Sequence, residues 1–389
     1  MKIILSPRVL LLLTFFGLLS CDEDDEKPGL RTKIDYATLT PATPYSTAFV
    51  DASGNPTVDL SEGNIRYKMF YSINNYMSGT ISVNQEISAD KINNMFSNTG
   101  SEFYDIDSDQ VPVSAEELNT SGIDLKSATA SSKPGAEAAV ERDLIESYFD
   151  QIATASLSAA QTASQGQAGK LGSRLVDQRG IELAQVIQKS LIGALQLDYI
   201  GNVLMDEGLT ADNTQLVSDK NYTALEHNWD VAYGLLTLNP VYLEGSTNEA
   251  KGTYEFGAGS YIWEYNKEEY ADIHPAFLKG RAAIANNDRA TLESQATLIR
   301  TAIEQALASA ALGYLEKWKT GATDADRAHA IGEGLGFIYS LRFAGIHGGD
   351  AAWSDDVLAD LISSENGYWD LTAEKINAAA EAIKIKFGI

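Results

Sequence analysis

Apolar residues recur every three or four positions through most of the chain after residue 136, the spacing of amphipathic helices packed on one another. Val140, Leu144, Ile145, Tyr148, Phe149 and Ile152 fall on one face. Leu183, Val186, Ile187, Leu191 and Leu195 continue a second stripe toward Asp198. Tyr222 to Leu236 forms a third segment, and Leu292, Ile299, Ile303, Leu307, Tyr314, Leu315 and Trp318 mark a long fourth. Asp326 to Arg342, Asp355 to Ile362 and Thr372 to Ile385 complete the set. Thr323-Asp324 and Thr372 with Glu374 supply helix-opening caps. Alternating Val/Ile runs are scarce, so the pattern predicts an all-α protein of packed helical bundles.

Residues 22 to about 135 read differently. They are rich in Ser, Thr, Asn, Asp and Pro, with Pro41, Pro44, Pro56, Pro112 and Pro134 as punctuation. One short helix is predicted there, Asn64 to Met77, from Ile65, Met69, Ile73 and Met77; Ser121 to Gly135 reads as a loop. Gly245 to Tyr270, with Gly252, Gly257, Gly259 and several aromatics, reads as a long connection between two bundle halves. Trp263, Tyr261, Tyr265 and Tyr270 within it either line a ligand pocket or pin the connection to the core.

The first twenty residues stand outside this pattern. Lys2 and Arg8 precede an apolar run, Val9 to Leu19, that is shorter than the roughly 20 residues a bilayer span needs. It ends Leu18-Leu19-Ser20-Cys21, which resembles the lipobox of bacterial lipoproteins. That resemblance implies cleavage after residue 20, acylation of Cys21 and a stable lipid anchor in a membrane. Asp22 to Glu26 is a solvated acidic run within a tether spanning 21–44. It is similar to the surface-export signal of some Gram-negative lipoproteins, which implies outer-membrane attachment facing outward; a periplasm-facing spacer is the other reading. The expected layout is a signal peptide over 1–20, the tether, and a helical domain over 45–389 that is irregular to about 135.

Charge narrows the partners. The 389 residues carry a formal charge of −25, and losing residues 1–20 removes Lys2 and Arg8 but no acid, giving −27. So acidic a chain is a poor partner for nucleic acid. Cys21 is the only cysteine, so once acylated it leaves no thiol for disulfides or metal. Any metal ligands must be His, Asp, Glu or backbone oxygen.

Strong catalytic motifs are absent: there is no HExxH helix and no GxSxG elbow, and Gly166-Gln167-Ala168-Gly169-Lys170 lacks Walker spacing. Gly332, Gly334 and Gly336 follow no strand, and their expected role is to let another helix approach closely. The histidines offer more. His227 and Asp230 lie three apart on a predicted helix, and Glu226 lies four before Asp230. His329 and Glu333 form a second such pair, in the other half. Each pair either contributes to a metal site or only fixes helix packing. His274, before Pro275 at a predicted helix start, reads as structural, and His347 sits in a Gly-rich turn with Asp350.

Several stretches together carry a family resemblance: Gly166-Gln167-Ala168-Gly169, Arg179-Gly180-Ile181-Glu182, Lys189 to Ala194, and Glu226 to Gly234, with Thr57-Val58-Asp59, Arg66 and Met69 upstream. From about Tyr45 onward the chain resembles a family of bacterial lipoproteins of unknown function. That family is distantly similar to the imelysins, two-bundle envelope proteins tied to iron uptake, once classed as peptidases and marked by Gly-x-His-x-x-Glu. His227 matches the histidine, Asp230 stands in for the glutamate, and Leu225 replaces the glycine. The resemblance implies an envelope protein that binds a metal ion or metal complex, with iron or another divalent metal as cofactor and an outer-membrane transporter as partner. His227 and Asp230 are the first expected ligands, with Glu226, His329 and Glu333 behind them. The rival expectations are a metal-dependent hydrolase or peptidase, and a structural or glycan-handling surface protein.

Overall fold

The computed structural model describes residues 30–108, 111–236 and 257–389. Cys21, the acidic run and residues 245–256 of the expected connection lie outside the described residues. The described part is all-α: thirteen α-helices and one two-stranded hairpin. Among the described residues no helix is long and apolar enough to cross a membrane.

The N-terminal third is more helical than its polar composition implied. After α1 (Tyr45–Ala48) comes α2, Ser61–Ser82, where a helix over only 64–77 was expected. Asp59 accepts from Ser61 N and starts it. Met69, Phe70, Ile73 and Met77 then form its buried stripe, while Asn and Ser on the outer face disguised its length. α3 (Ala89–Ser97) and α4 (Ala115–Thr120) are capped by Ser88 and Ser114. The predicted loop persists until α5 begins at Gly135 (Gly135–Ser156).

A hairpin that sequence periodicity missed follows. β1 (Gly169–Leu171) pairs antiparallel with β2 (Arg174–Val176), Lys170 opposite Leu175. Gly172, at φ 57°, opens its two-residue turn. Three-residue strands are too short to show alternation.

α6 (Leu183–Leu191) runs directly into a π-helical stretch, Ile192–Leu204. Such widened turns are rare and recur at functional positions. Gln196 within it donates to Leu235 O and accepts from Ala258 N, tying together α7 (Ala224–Leu236) and α8 (Ala258–Tyr265). The expected connection up to Tyr270 is therefore partly helical, because α8 is followed at once by α9 (Lys267–Asn286). Pro275 sits inside α9, not at a helix start as read from the sequence. Its missing N–H costs one backbone hydrogen bond.

α10 (Arg289–Thr320) is the long helix, with Leu292, Ala296, Ile299, Ile303, Leu307 and Leu315 buried. It packs most heavily on α11 (Asp324–Ser340), which opens with a full capping box between Thr323 and Asp326. α12 (Ala351–Ile362) and α13 (Ala373–Phe387) close the chain. The buried apolar residues form one contiguous cluster from Tyr45 to Phe387.

Two glycines set the close approach of α11 to α6. A Cβ on Gly336 would lie 2.8 Å from Val186 O and 2.6 Å from the Lys189 Cβ. One on Gly332 would lie 3.1 Å from Glu182 O. These two positions let α11 approach α6, as expected; Gly334 faces only ordinary contacts with α10.

Candidate functional site

The five residues singled out on α7 and α11 fall into separate networks, and α7 itself splits. Glu226 and Asp230 point inward to Arg281 of α9. Glu226 Oε1 accepts from Arg281 Nη1 at 2.8 Å and Arg31 Nε at 2.9 Å. Its Oε2 accepts from Arg31 Nη2 at 2.8 Å and Thr223 N at 2.9 Å. Asp230 takes Arg281 Nε at 3.0 Å, Tyr45 OH at 2.7 Å and Asp59 N at 3.2 Å. Arg281 spends its last nitrogen on Thr57. Burial works against the guanidinium's charge, but the Asp230 and Glu226 carboxylates more than offset it and raise its pKa. Burial likewise works to raise the Glu226 carboxyl, and Arg31 and Arg281 hold it below its usual range. Both carboxylates are fully buried and their charge is already matched by two arginines.

His227 does not join them. Three residues along a helix leaves about 60° of rotation, and here that turns the ring toward α2. Its Nε2 lies 3.4 Å from Glu62 Oε2, and the ring stacks on Tyr222 at 4.5 Å. The bond from His227, against the cost of burial and helped by Arg66, pulls the Glu62 carboxyl down to about 2. The expected pairing of His227 with Asp230 is thus replaced by His227–Glu62 and Asp230–Arg281.

The pair on α11 is brought together, with partners that sequence spacing did not reveal. His329 Nδ1 lies 2.8 Å from Glu182 Oε2, just before α6, and His329 Nε2 lies 3.6 Å from Glu333 Oε1. Glu333 Oε1 is 3.1 Å from the Nζ of Lys189, which is 2% exposed. Lys189 also donates to Gln185 and Gln188 and sits over the Tyr261 ring at 5.3 Å. Burial disfavours the Lys189 ammonium, but Tyr261 and Glu333 outweigh it and raise its pKa. Glu333 Oε2 is buried with no hydrogen-bond partner. Tyr261, Tyr314 and Phe337 enclose this end, with Tyr261 and Phe337 centroids 4.5 Å apart. Tyr261 and Tyr265 of the expected connection therefore pin α8 to the core beside a charged network, and the Tyr270 side chain lies outside the described residues.

That network reaches solvent through a cleft of about 630 Å³ between the end of α2, the hairpin and α6. Asn74, Lys170, Arg174, Glu182, Gln185 and Gln188 are among its walls. Arg174 Nη1 lies 3.7 Å from Glu182 Oε1, so Glu182 carries histidine on one oxygen and arginine on the other. The cleft offers amides, hydroxyls and charges of both signs, and no aromatic side chain.

Among the described residues no three His, Cys, Asp or Glu side chains are placed to hold a metal ion. The other histidines are bound internally: His274 between Tyr233 and Thr43 O, His347 on Glu304, which is 1% exposed.

Comparison with known families places the whole helical region. Residues 45–389 match the family described as Domain of unknown function (DUF4856). The chain belongs to that family. The match begins where the motif resemblance began, and nothing in it links the chain to the imelysins. No curated protein and no solved structure matched the chain. Family membership therefore assigns no chemistry to the cleft.

The sequence reading missed Arg281, Arg31, Glu182 and Lys189. Two of them left a signal. Arg281 follows Phe277 and precedes Ile284 on an otherwise apolar helix face, and Lys189 lies among Val186, Ile187 and Leu191. A charged residue inside an apolar stripe forecasts a buried ion with a partner.

Proposed function

We propose that this is an envelope lipoprotein, anchored through Cys21, that binds a polar, hydroxyl-rich ligand in the cleft beside Glu182 and His329. The observation that carries the reading is Glu182. It is 5% exposed, yet lines an open cleft and is held between His329 and Arg174. Buried carboxylates oriented by charged partners at the wall of a polar cavity are built for recognition more than for folding. The amides of Asn74, Gln185 and Gln188 supply paired donors and acceptors of the kind hydroxyl groups use. This is the glycan-handling reading among those the sequence left open. Calorimetric titration of residues 22–389 with a panel of di- to tetrasaccharides tests it. At least one should bind, and Glu182→Gln should weaken it tenfold or more. Silence across the panel would overturn it.

A second reading rests on a different observation: the His329 ring lies between two carboxylates, and Glu333 Oε2 has no partner. A metal ion, iron by the imelysin likeness and as part of iron uptake with an outer-membrane transporter, would need Glu182, His329 and Glu333 to rearrange around it, because among the described residues no three such side chains are placed to hold one. Lys189 beside Glu333 works against added positive charge. Metal analysis of the untagged mature protein offered iron and zinc decides it: a stoichiometric metal lost in His329→Ala/Glu333→Gln supports this reading, and its absence from the wild type removes it. The outer-membrane, outward-facing location is supported by the lipobox and acidic run. Incorporation of labelled palmitate that disappears in Cys21→Ala, with cleavage by protease added to whole cells, is the expected result.

A further inference from the structure

The N-terminal part of α6 has a cavity on each side. Ala184, Gln185 and Gln188 face the polar cleft, whereas Leu183 and Val186 face a second cavity of about 550 Å³ closed by α5, α11 and α12. The volume is that of a small-ligand site. Its floor is apolar: Leu183, Val186 and Leu335 are all nearly inaccessible, and Leu358 completes the wall.

Asp177 and Arg179 stand on this apolar floor with no hydrogen bond between their side chains, and Glu365 also lines the cavity. Asp177 is 7% exposed. Its Oδ1 accepts from Arg179 N and Ile181 N, both at 2.9 Å, which fixes the turn, while Oδ2 has no hydrogen-bond partner among the described residues. Arg179 donates through Nη2 to the carbonyls of Ile362 and Ser364, which bolts it to the end of α12. A guanidinium has five N–H donors, and the three on Nε and Nη1 have no partner among the described residues. No ion pair joins Asp177 to Arg179. An open carboxylate oxygen, a held guanidinium fork and an apolar surface make three complementary demands on one ligand. It must carry a cation, an anion and an apolar group.

We infer that this cavity binds a zwitterion with an apolar side chain, an apolar amino acid or short peptide, its ammonium on Asp177 and its carboxylate on Arg179. The inference is independent of the polar cleft, since no wall residue is shared.

Titration of residues 22–389 with L-leucine and with trileucine tests it, the two probes separating a free amino acid from a peptide. One of them should bind. Its N-acetyl and C-amide forms should each lose at least tenfold in affinity, because each cap removes one charge. Asp177→Asn should weaken the free-amine form and leave the N-acetyl form unchanged. Should that variant fold poorly, Leu358→Trp at a half-buried position fills the cavity, and should abolish binding with an unchanged melting temperature. The inference is overturned if neither probe binds, if capped forms bind as well as uncapped ones, if decanoate (a carboxylate with no ammonium) binds as tightly, or if Leu358→Trp has no effect.

Discussion

The network around Arg281 and the one around Lys189 use the same kinds of residue, and they end differently. Around Arg281 every nitrogen of the guanidinium is bonded, Glu226 and Asp230 accept seven hydrogen bonds between them, and Arg281, Glu226 and Asp230 are all buried. Around Lys189 one carboxylate oxygen of Glu333 is unbonded, His329 is partly exposed, and Glu182 forms the wall of a cleft. A closed network stores its interactions in the fold. An open one has capacity left for a ligand. The helical spacing of acid and histidine cannot separate the two cases; the cations that meet them from other helices can.

Substitutions should make that contrast measurable. The largest effect belongs to Arg281→Met, which strands two buried carboxylates. Removing one partner of a buried ion pair costs about 3–5 kcal/mol, so urea unfolding should show a loss of that order or no folded protein. Ligand binding in the cleft, where the variant still folds, should be unchanged.

Gly336→Ala comes next. Its new methyl would collide with Val186 O and the Lys189 Cβ and push α11 off α6. Overpacking of this kind costs about 1–3 kcal/mol. Here affinity in the cleft should fall along with stability, because His329 moves away from Glu182. Gly334→Ala, facing α10 at 3.7 Å, should do much less.

His329→Ala should cost least in stability, within about 1 kcal/mol, since the ring is partly exposed and pairs of this kind contribute little to folding. It should still weaken saccharide binding severalfold. A variant that destabilises strongly while leaving binding intact would place His329 with the structural group.

Acid titration probes the side of α7 that faces α2. Glu62 has an ordinary pKa of 4.5 and is held near 2 in the folded protein by His227 and Arg66. Its folded pKa is depressed, so its contribution is present above pH 4.5 and is lost as pH falls toward 2. Glu62→Gln should flatten the stability curve in that window and leave it unchanged in shape near neutrality.

The all-α architecture was legible because burial imposes the 3.6-residue period on every long helix. The family resemblance was legible because its motifs are ordered over most of the chain. α2 was read too short because only its inward stripe is apolar. The hairpin was invisible because three residues cannot show a period of two. Of the candidate residues, spacing found His329 and Glu333 as neighbours, since i and i+4 adjoin on any helix. It could not find Glu182, Lys189 or Arg281, whose roles come from helices far off in sequence. It also paired His227 with Asp230, although 60° of helical rotation was enough to give them different neighbours.

The central claim, that the cleft beside Glu182 and not the Arg281 network is the working site, is tested most directly by one comparison. Saccharide affinity is measured by calorimetry for the mature wild type, Glu182→Gln and Asp230→Asn. The account predicts binding to the wild type, a loss of tenfold or more in Glu182→Gln at near-normal stability, and unchanged affinity in Asp230→Asn despite lower stability. Binding that survives Glu182→Gln and vanishes in a folded Asp230→Asn would contradict it.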